Sequence, residues 1–217
     1  MLAALALAAL VPAAAPAPAP APADLGAYVT GTPRCDAAVP NCFGLHLHLV
    51  VTPEGPVQTV EWVSAQVAAA NVRFSLIDVA FEVVAADALP AGDLEIDDRD
   101  ERDALGDPRF SRGVAHAFVV GRLADVDIEG NEIRGVHWRY RPDRTRRWVI
   151  LSKIASALVL THELGHFFGL PHSKHELSVM NKTEWTDPSL LTFAPPELER
   201  MRRKRDAMLR SGMLKDR

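Results

Sequence analysis

The run His162-Glu163-Leu164-Gly165-His166-Phe167-Phe168-Gly169-Leu170-Pro171-His172 decides how the rest of the chain is read. Residues four apart share one face of an α-helix, so the imidazoles of His162 and His166 can converge on a single cation. Glu163 stands beside them, placed to meet a water on that cation without ligating the cation itself. Gly169 can adopt the left-handed backbone that ends a helix and Pro171 cannot continue one, so the chain can turn back and deliver His172 as a third ligand. Three protein donors leave the fourth tetrahedral position of Zn²⁺ open for water, which separates a catalytic zinc site from a closed structural one. Zinc would lower the pKa of that water toward neutrality, and Glu163 would take its proton during attack on a carbonyl. With this chain's composition as the prior, the five fixed residues at these spacings arise by chance about a few times in 10⁵ sequences of this length.

Downstream, Ser178-Val179-Met180-Asn181 carries a methionine, and Ser173 directly follows the third histidine. With the HExxHxxGxxH run, these features resemble the metzincin zinc metallopeptidases, and among them the matrixin branch. The resemblance implies that His162, His166 and His172 hold zinc, that Glu163 is the catalytic base, and that Met180 forms a Met-turn. In that turn the polarisable thioether serves as a soft apolar floor beneath the metal. The resemblance is dense from about residue 148 to 201 and diffuse before that. It departs after Met180, where the family has Tyr-Pro leading into the wall of the specificity pocket and this chain has Asn181 and Lys182. Tyr140 and Trp185 are candidates for that wall, although no motif aligns them.

At 217 residues with 48% hydrophobic residues, the chain has enough material for one well-packed domain plus processing segments. A net charge of −4 gives no electrostatic case for nucleic acid or an anionic membrane as the main partner. Residues 1–11 are apolar but too few to span a bilayer; they fit a signal-peptide core, with Ala13-Ala14-Ala15 as a small-residue cleavage site. No Lys or Arg precedes them, so this would be an atypical export signal. The Ala/Pro alternation up to residue 23 has no core to bury and reads as an extended tether.

Cys35 and Cys42 are the only cysteines. In an exported protein a pair this close reads first as a local disulfide. Pro33-Arg34-Cys35 also resembles the start of the matrixin cysteine switch, in which a thiolate fills the open zinc position and holds the enzyme latent. The match then fails, because Asp36 stands where the family has Gly and a second Cys follows.

Residues 45–52 alternate and then run β-branched, which predicts a strand. His46 and His48 fall on one side of it and read as its polar face rather than as metal ligands. A helix over 56–70 and a strand over 74–84 follow. The stretch 85–113 carries Asp93, Glu95, Asp97, Asp98, Asp100, Glu101 and Asp103 with arginines between them. Structural Ca²⁺ is the sharper reading and a solvated loop the plainer one, which the absence of EF-hand spacing favours. Strands are expected at 113–121, 133–140 and 147–152. Ala115-His116-Ala117-Phe118 resembles a matrixin strand whose histidine holds a structural zinc. Its companion residues are missing at family spacing and only His137 stands nearby, so no second zinc is assigned. An apolar helix over 154–170 carries the metal run, and Pro195-Pro196 opens a last helix to 209 whose basic run reads as a solvated face.

The fold expected is α/β (α+β): a zincin-like domain with a mixed, twisted five-stranded sheet, an active-site helix, a Met-turn and a C-terminal helix. The segments expected are a signal-like tether (1–23), an N-terminal piece with the cysteine pair (24–44), the catalytic domain (45–212) and a tail (213–217). The function expected is a secreted zinc endopeptidase acting on protein or peptide substrates, without nucleic acid or stable membrane insertion, and monomeric. The alternatives are a non-catalytic zinc-containing peptide-binding module, which would have no use for Glu163, and a latent protease blocked by Cys35.

Overall fold

A computed structural model describes residues 24–182 and 187–217. The signal-like segment, the tether and Trp185 lie outside the described residues. In chain order the strands are β1 (Asn41–Thr52), β2 (Gly55–Pro56), β3 (Val79–Leu89), β4 (Glu95–Ile96), β5 (Ala115–Val120), β6 (Arg122–Leu123), β7 (Gly135–Arg139) and β8 (Arg147–Ser152). The helices are α1 (Gly26–Thr30), α2 (Val60–Phe74), α3 (Arg99–Gly106), α4 (Val159–Phe167) and α5 (Pro195–Arg210). The main sheet runs β3-β1-β5-β8-β7, with β2 adding a short antiparallel pairing at the end of β1. β1, β3, β5 and β8 are parallel, and β7 closes the edge antiparallel to β8.

Alternation along the strands divides the interior in two. Leu45, Leu47, Leu49, Ala117, Val119, Val149 and Leu151 face α2, α4 and α5 in the larger core. Val50, Phe118, Val120, Trp148 and Ile150 face the other way into a second core, covered by the excursion between β3 and β5. The expectation that 85–113 is a plain solvated loop therefore needs correction. It contains α3, opened by an Asp98–Glu101 capping box, and it buries Ile96 and Leu105. Its carboxylates are committed to arginines: Asp93 to Arg109, Glu95 and Asp97 to Arg122, and Asp100 and Asp103 to Arg141.

Other expectations shift for local reasons. Pro56 pairs with Val51 instead of opening α2; the helix starts where the Thr59 hydroxyl accepts from the Trp62 N–H. The basic run on α5 is not a bare solvated face: Arg202 and Arg205 donate to the Leu76 and Ile77 carbonyls beyond the end of α2.

The described parts of the flanking segments 24–44 and 213–217 pack against the residues between them. Leu25 and Tyr28 of the N-terminal piece are buried in the larger core, and β1 already begins at Asn41. At the other end Met213 and Leu214 are buried, Lys215 donates to the Gly113 carbonyl, and Arg217 pairs with Glu82. Cys35 and Cys42 form a disulfide with Cα atoms 5.8 Å apart, so neither thiol is free to occupy a metal position.

Candidate metal centre and cleft

α4 lies on the larger core beneath the β7–β8 edge and carries His162, Glu163 and His166. Sequence periodicity suggests a helix from 154, but Ile154 is exposed and the regular helix begins at Val159. Its start is held from outside. The buried Gln66 side chain of α2 accepts from the Leu160 N–H and donates to the Ser156 carbonyl.

The helix ends in a Schellman arrangement. Gly169 sits at φ +89°, its N–H bonds the His166 carbonyl, and the Leu170 N–H reaches back to the Gly165 carbonyl. This reversal brings His172 to the other two histidines. One ring nitrogen of each lies within 4.8 Å of the others, and the Nε2 atoms of His166 and His172 are 3.2 Å apart.

The donor set fits zinc on its own chemistry. His162 Nδ1 bonds the Val179 carbonyl at 2.8 Å and His166 Nδ1 the Leu170 carbonyl at 2.7 Å. With those protons placed on Nδ1, each Nε2 presents a lone pair inward. Burial lowers the pKa of all three rings, that of His166 to about 4, against the opposing pull of the Leu170 carbonyl, which favours the neutral form that a metal binds. Neither carbonyl partner was visible in the sequence, because a backbone oxygen carries no side-chain signature.

Met180 is fully buried beneath this cluster. A Cβ on Gly165 would lie 2.4 Å from the Met180 sulfur, so the close approach of turn and helix requires glycine at this position. The turn is tied to the ligands at both ends, through the His162–Val179 bond and through the Ser173 N–H to the Met180 carbonyl at 3.0 Å. The Ser178 hydroxyl donates to Glu197 of α5, so the C-terminal helix braces the same turn.

Glu163 is buried among these groups with 6% exposure. Burial pushes its pKa up to about 8, against a backbone hydrogen bond from His137. Two cavities meet at Glu163. The larger, about 610 Å³, runs between Gly135 on β7 and Val179, Lys182, Pro188 and Leu191. The smaller, about 310 Å³, lies toward His137, Arg139 and His172. Tyr140 lines neither of them; it packs on Trp148 and Arg146 instead, so it is not the pocket wall.

The sequence profile of the matrixin peptidases, Peptidase_M10, matches residues 61–191. The chain belongs to the matrixin family. That family is one of zinc metallopeptidases, and the three-histidine cluster on α4 and its loop is where zinc would be held. No curated protein matches the chain in sequence. Among solved structures, mirolysin in complex with a compound is similar at 11% identity and TM-score 0.57, over 82% of this chain and 99% of that one. Metalloproteinase-II from Bacteroides fragilis is similar at 13% identity and TM-score 0.51, over 78% of this chain. The chain spans about half the length of that second protein, 54%. At these identities the likeness supports the metzincin-type fold alone.

Proposed function

We propose that this matrixin is an exported zinc endopeptidase in which Glu163 is the general base. The observation that carries the reading is the position of Glu163: a buried carboxyl between two cavities, next to three histidines, two of which, His162 and His166, have their outer nitrogens fixed by backbone carbonyls. A cation beside this carboxyl would favour its ionised form, ready to take a proton, while burial favours holding that proton long enough to pass it on.

Bound zinc supplies a Lewis acid that acidifies water and polarises a carbonyl. The protein's own groups do the rest. β7 pairs only with β8 among the described strands, so its outer edge can pair with an extended peptide laid along the cleft. Glu163, beside Gly135 of that strand, takes the proton of the attacking water and passes it to the leaving amine nitrogen. Cavities on both sides of Glu163 give room for substrate residues on both sides of the scissile bond, which suits cleavage inside a chain. Export rests on the signal-like segment at residues 1–11 and on the disulfide, which belongs to an oxidising compartment.

The test is digestion of a broad peptide library by zinc-loaded protein, with products sequenced by mass spectrometry. Internal cuts that stop on chelation and resume with zinc are expected. A library left intact by fully zinc-loaded protein would refute the proposal.

A further inference from the structure

We propose that His46, His48 and His116, with Asp87 beside them, form a second site for a divalent transition metal, on the face of the sheet opposite the catalytic helix.

The sheet itself assembles the site. His46 and His48 are two apart on β1 and share a face, while Leu45, Leu47 and Leu49 face the helices on the other side. β5 runs parallel to β1 with His116 opposite His46, and β3 places Asp87 opposite His48 on the other flank. One ring nitrogen of each histidine lies within 4.8 Å of the others. His48 Nε2 and His116 Nδ1 are 3.0 Å apart, close to the roughly 3.3 Å that separates two nitrogens on one tetrahedral zinc. His46 Nε2 lies 2.7 Å from Asp87 Oδ2, and His48 Nδ1 lies 3.9 Å from the same oxygen.

A count of hydrogen-bond partners points to a ligand. His48 is 1% exposed, and its Nδ1 is buried without a partner. The contact between His48 and His116 uses one proton. Whichever ring supplies it, His48 Nδ1 remains either a bare lone pair or an N–H with no acceptor in reach. Native interiors rarely leave such an atom uncompensated; a cation bonded to His48 Nε2 in place of the shared proton would hold the ring proton on Nδ1, on the side of Asp87 Oδ2 3.9 Å away.

The rings are in the state that metals bind. Burial, with the neighbouring rings adding to it, holds His48 down at about 2, and burial holds His116 at about 4 against a hydrogen bond to Ser111. Phe118 stacks on His48 at 4.5 Å and fixes its plane. The His46 and Asp87 side chains are 22% and 61% exposed, so an ion can arrive from solvent on that side. Three imidazoles and one carboxylate are a donor set suited to zinc, and they leave no open position. His137, which stands nearest to His116 among the later histidines of the sequence, is not part of the set: it lies on β7 beside Glu163.

The experiment is native mass spectrometry of the full chain titrated with Zn²⁺ alone, with thermal unfolding in parallel. Two zinc ions are expected in the wild type and one in the His162→Ala/His166→Ala variant, whose unfolding temperature should still rise with added Zn²⁺. Adding His46→Gln, or separately Asp87→Asn, at the solvent side of the cluster should remove or weaken that last ion and its thermal shift. These changes are half-buried or exposed and leave the core packing intact. A variant without the catalytic ligands that takes up no zinc at saturation would overturn the proposal, and so would one ion that persists unchanged in the His46→Gln background.

Discussion

Two clusters of three histidines stand on opposite faces of one sheet, built by different routes. His162, His166 and His172 come from eleven consecutive residues: a helix supplies two, and a Schellman turn at Gly169 supplies the third. His46, His48 and His116 are gathered by strand register across 70 residues, with Asp87 added by a third strand. The first cluster opens onto cavities and has a buried carboxyl at its side; the second lies between Phe118, stacked on His48, and Asp87, which pairs with His46 at the solvent side. On the proposals above, the same imidazole chemistry would serve reaction in one place and a closed coordination in the other, with the surroundings making the difference.

The contrast is sharpest in activity. His166→Ala should reduce peptide cleavage to background, while His48→Phe, which keeps an aromatic ring against Phe118, should leave kcat/KM within about threefold at temperatures where both variants stay folded. Comparable loss in both variants, with folding verified by circular dichroism, would erase the distinction between the clusters.

A smaller effect is expected from the floor beneath the first cluster. Gly165→Ala drives a methyl group into the Met180 sulfur and should cost about 1–3 kcal/mol in urea unfolding. An unchanged midpoint would mean that the Met-turn does not press on the helix.

The smallest effect concerns the disulfide that leads into the strand of the second cluster. Cys35→Ser with Cys42→Ser should cost about 2 kcal/mol through the freed loop and leave the activity of zinc-loaded protein unchanged. A large rise in activity on removing the cysteines would instead restore Cys35 as a latency switch.

What the sequence disclosed follows the same division. The convergence of His162, His166 and His172, the place of Glu163 beside them, the reversal at Gly169 and the turn at Met180 were legible as positions, because each depends on spacing within one helix and its exit. The order of strands was legible where apolar runs were long, as in β8. The second cluster was not, since two histidines alternating with leucines look the same whether the far face of a strand meets water or a second core. That core depended on 85–113 folding over the sheet, and a stretch of alternating acids and arginines gives no sign that its charges will pair internally. Tyr140, a candidate for the pocket wall, packs instead on Trp148 and Arg146, contacts that no local pattern announces.

The account rests most heavily on Glu163, and Glu163→Gln tests it because the amide keeps the shape of the side chain and cannot accept the proton. In one assay on a cleaved library peptide, with zinc content measured on the same samples, the variant should retain zinc at the first cluster and lose about 10² to 10⁴ in kcat/KM. Equal turnover by zinc-loaded wild type and Glu163→Gln would contradict the assignment of the base.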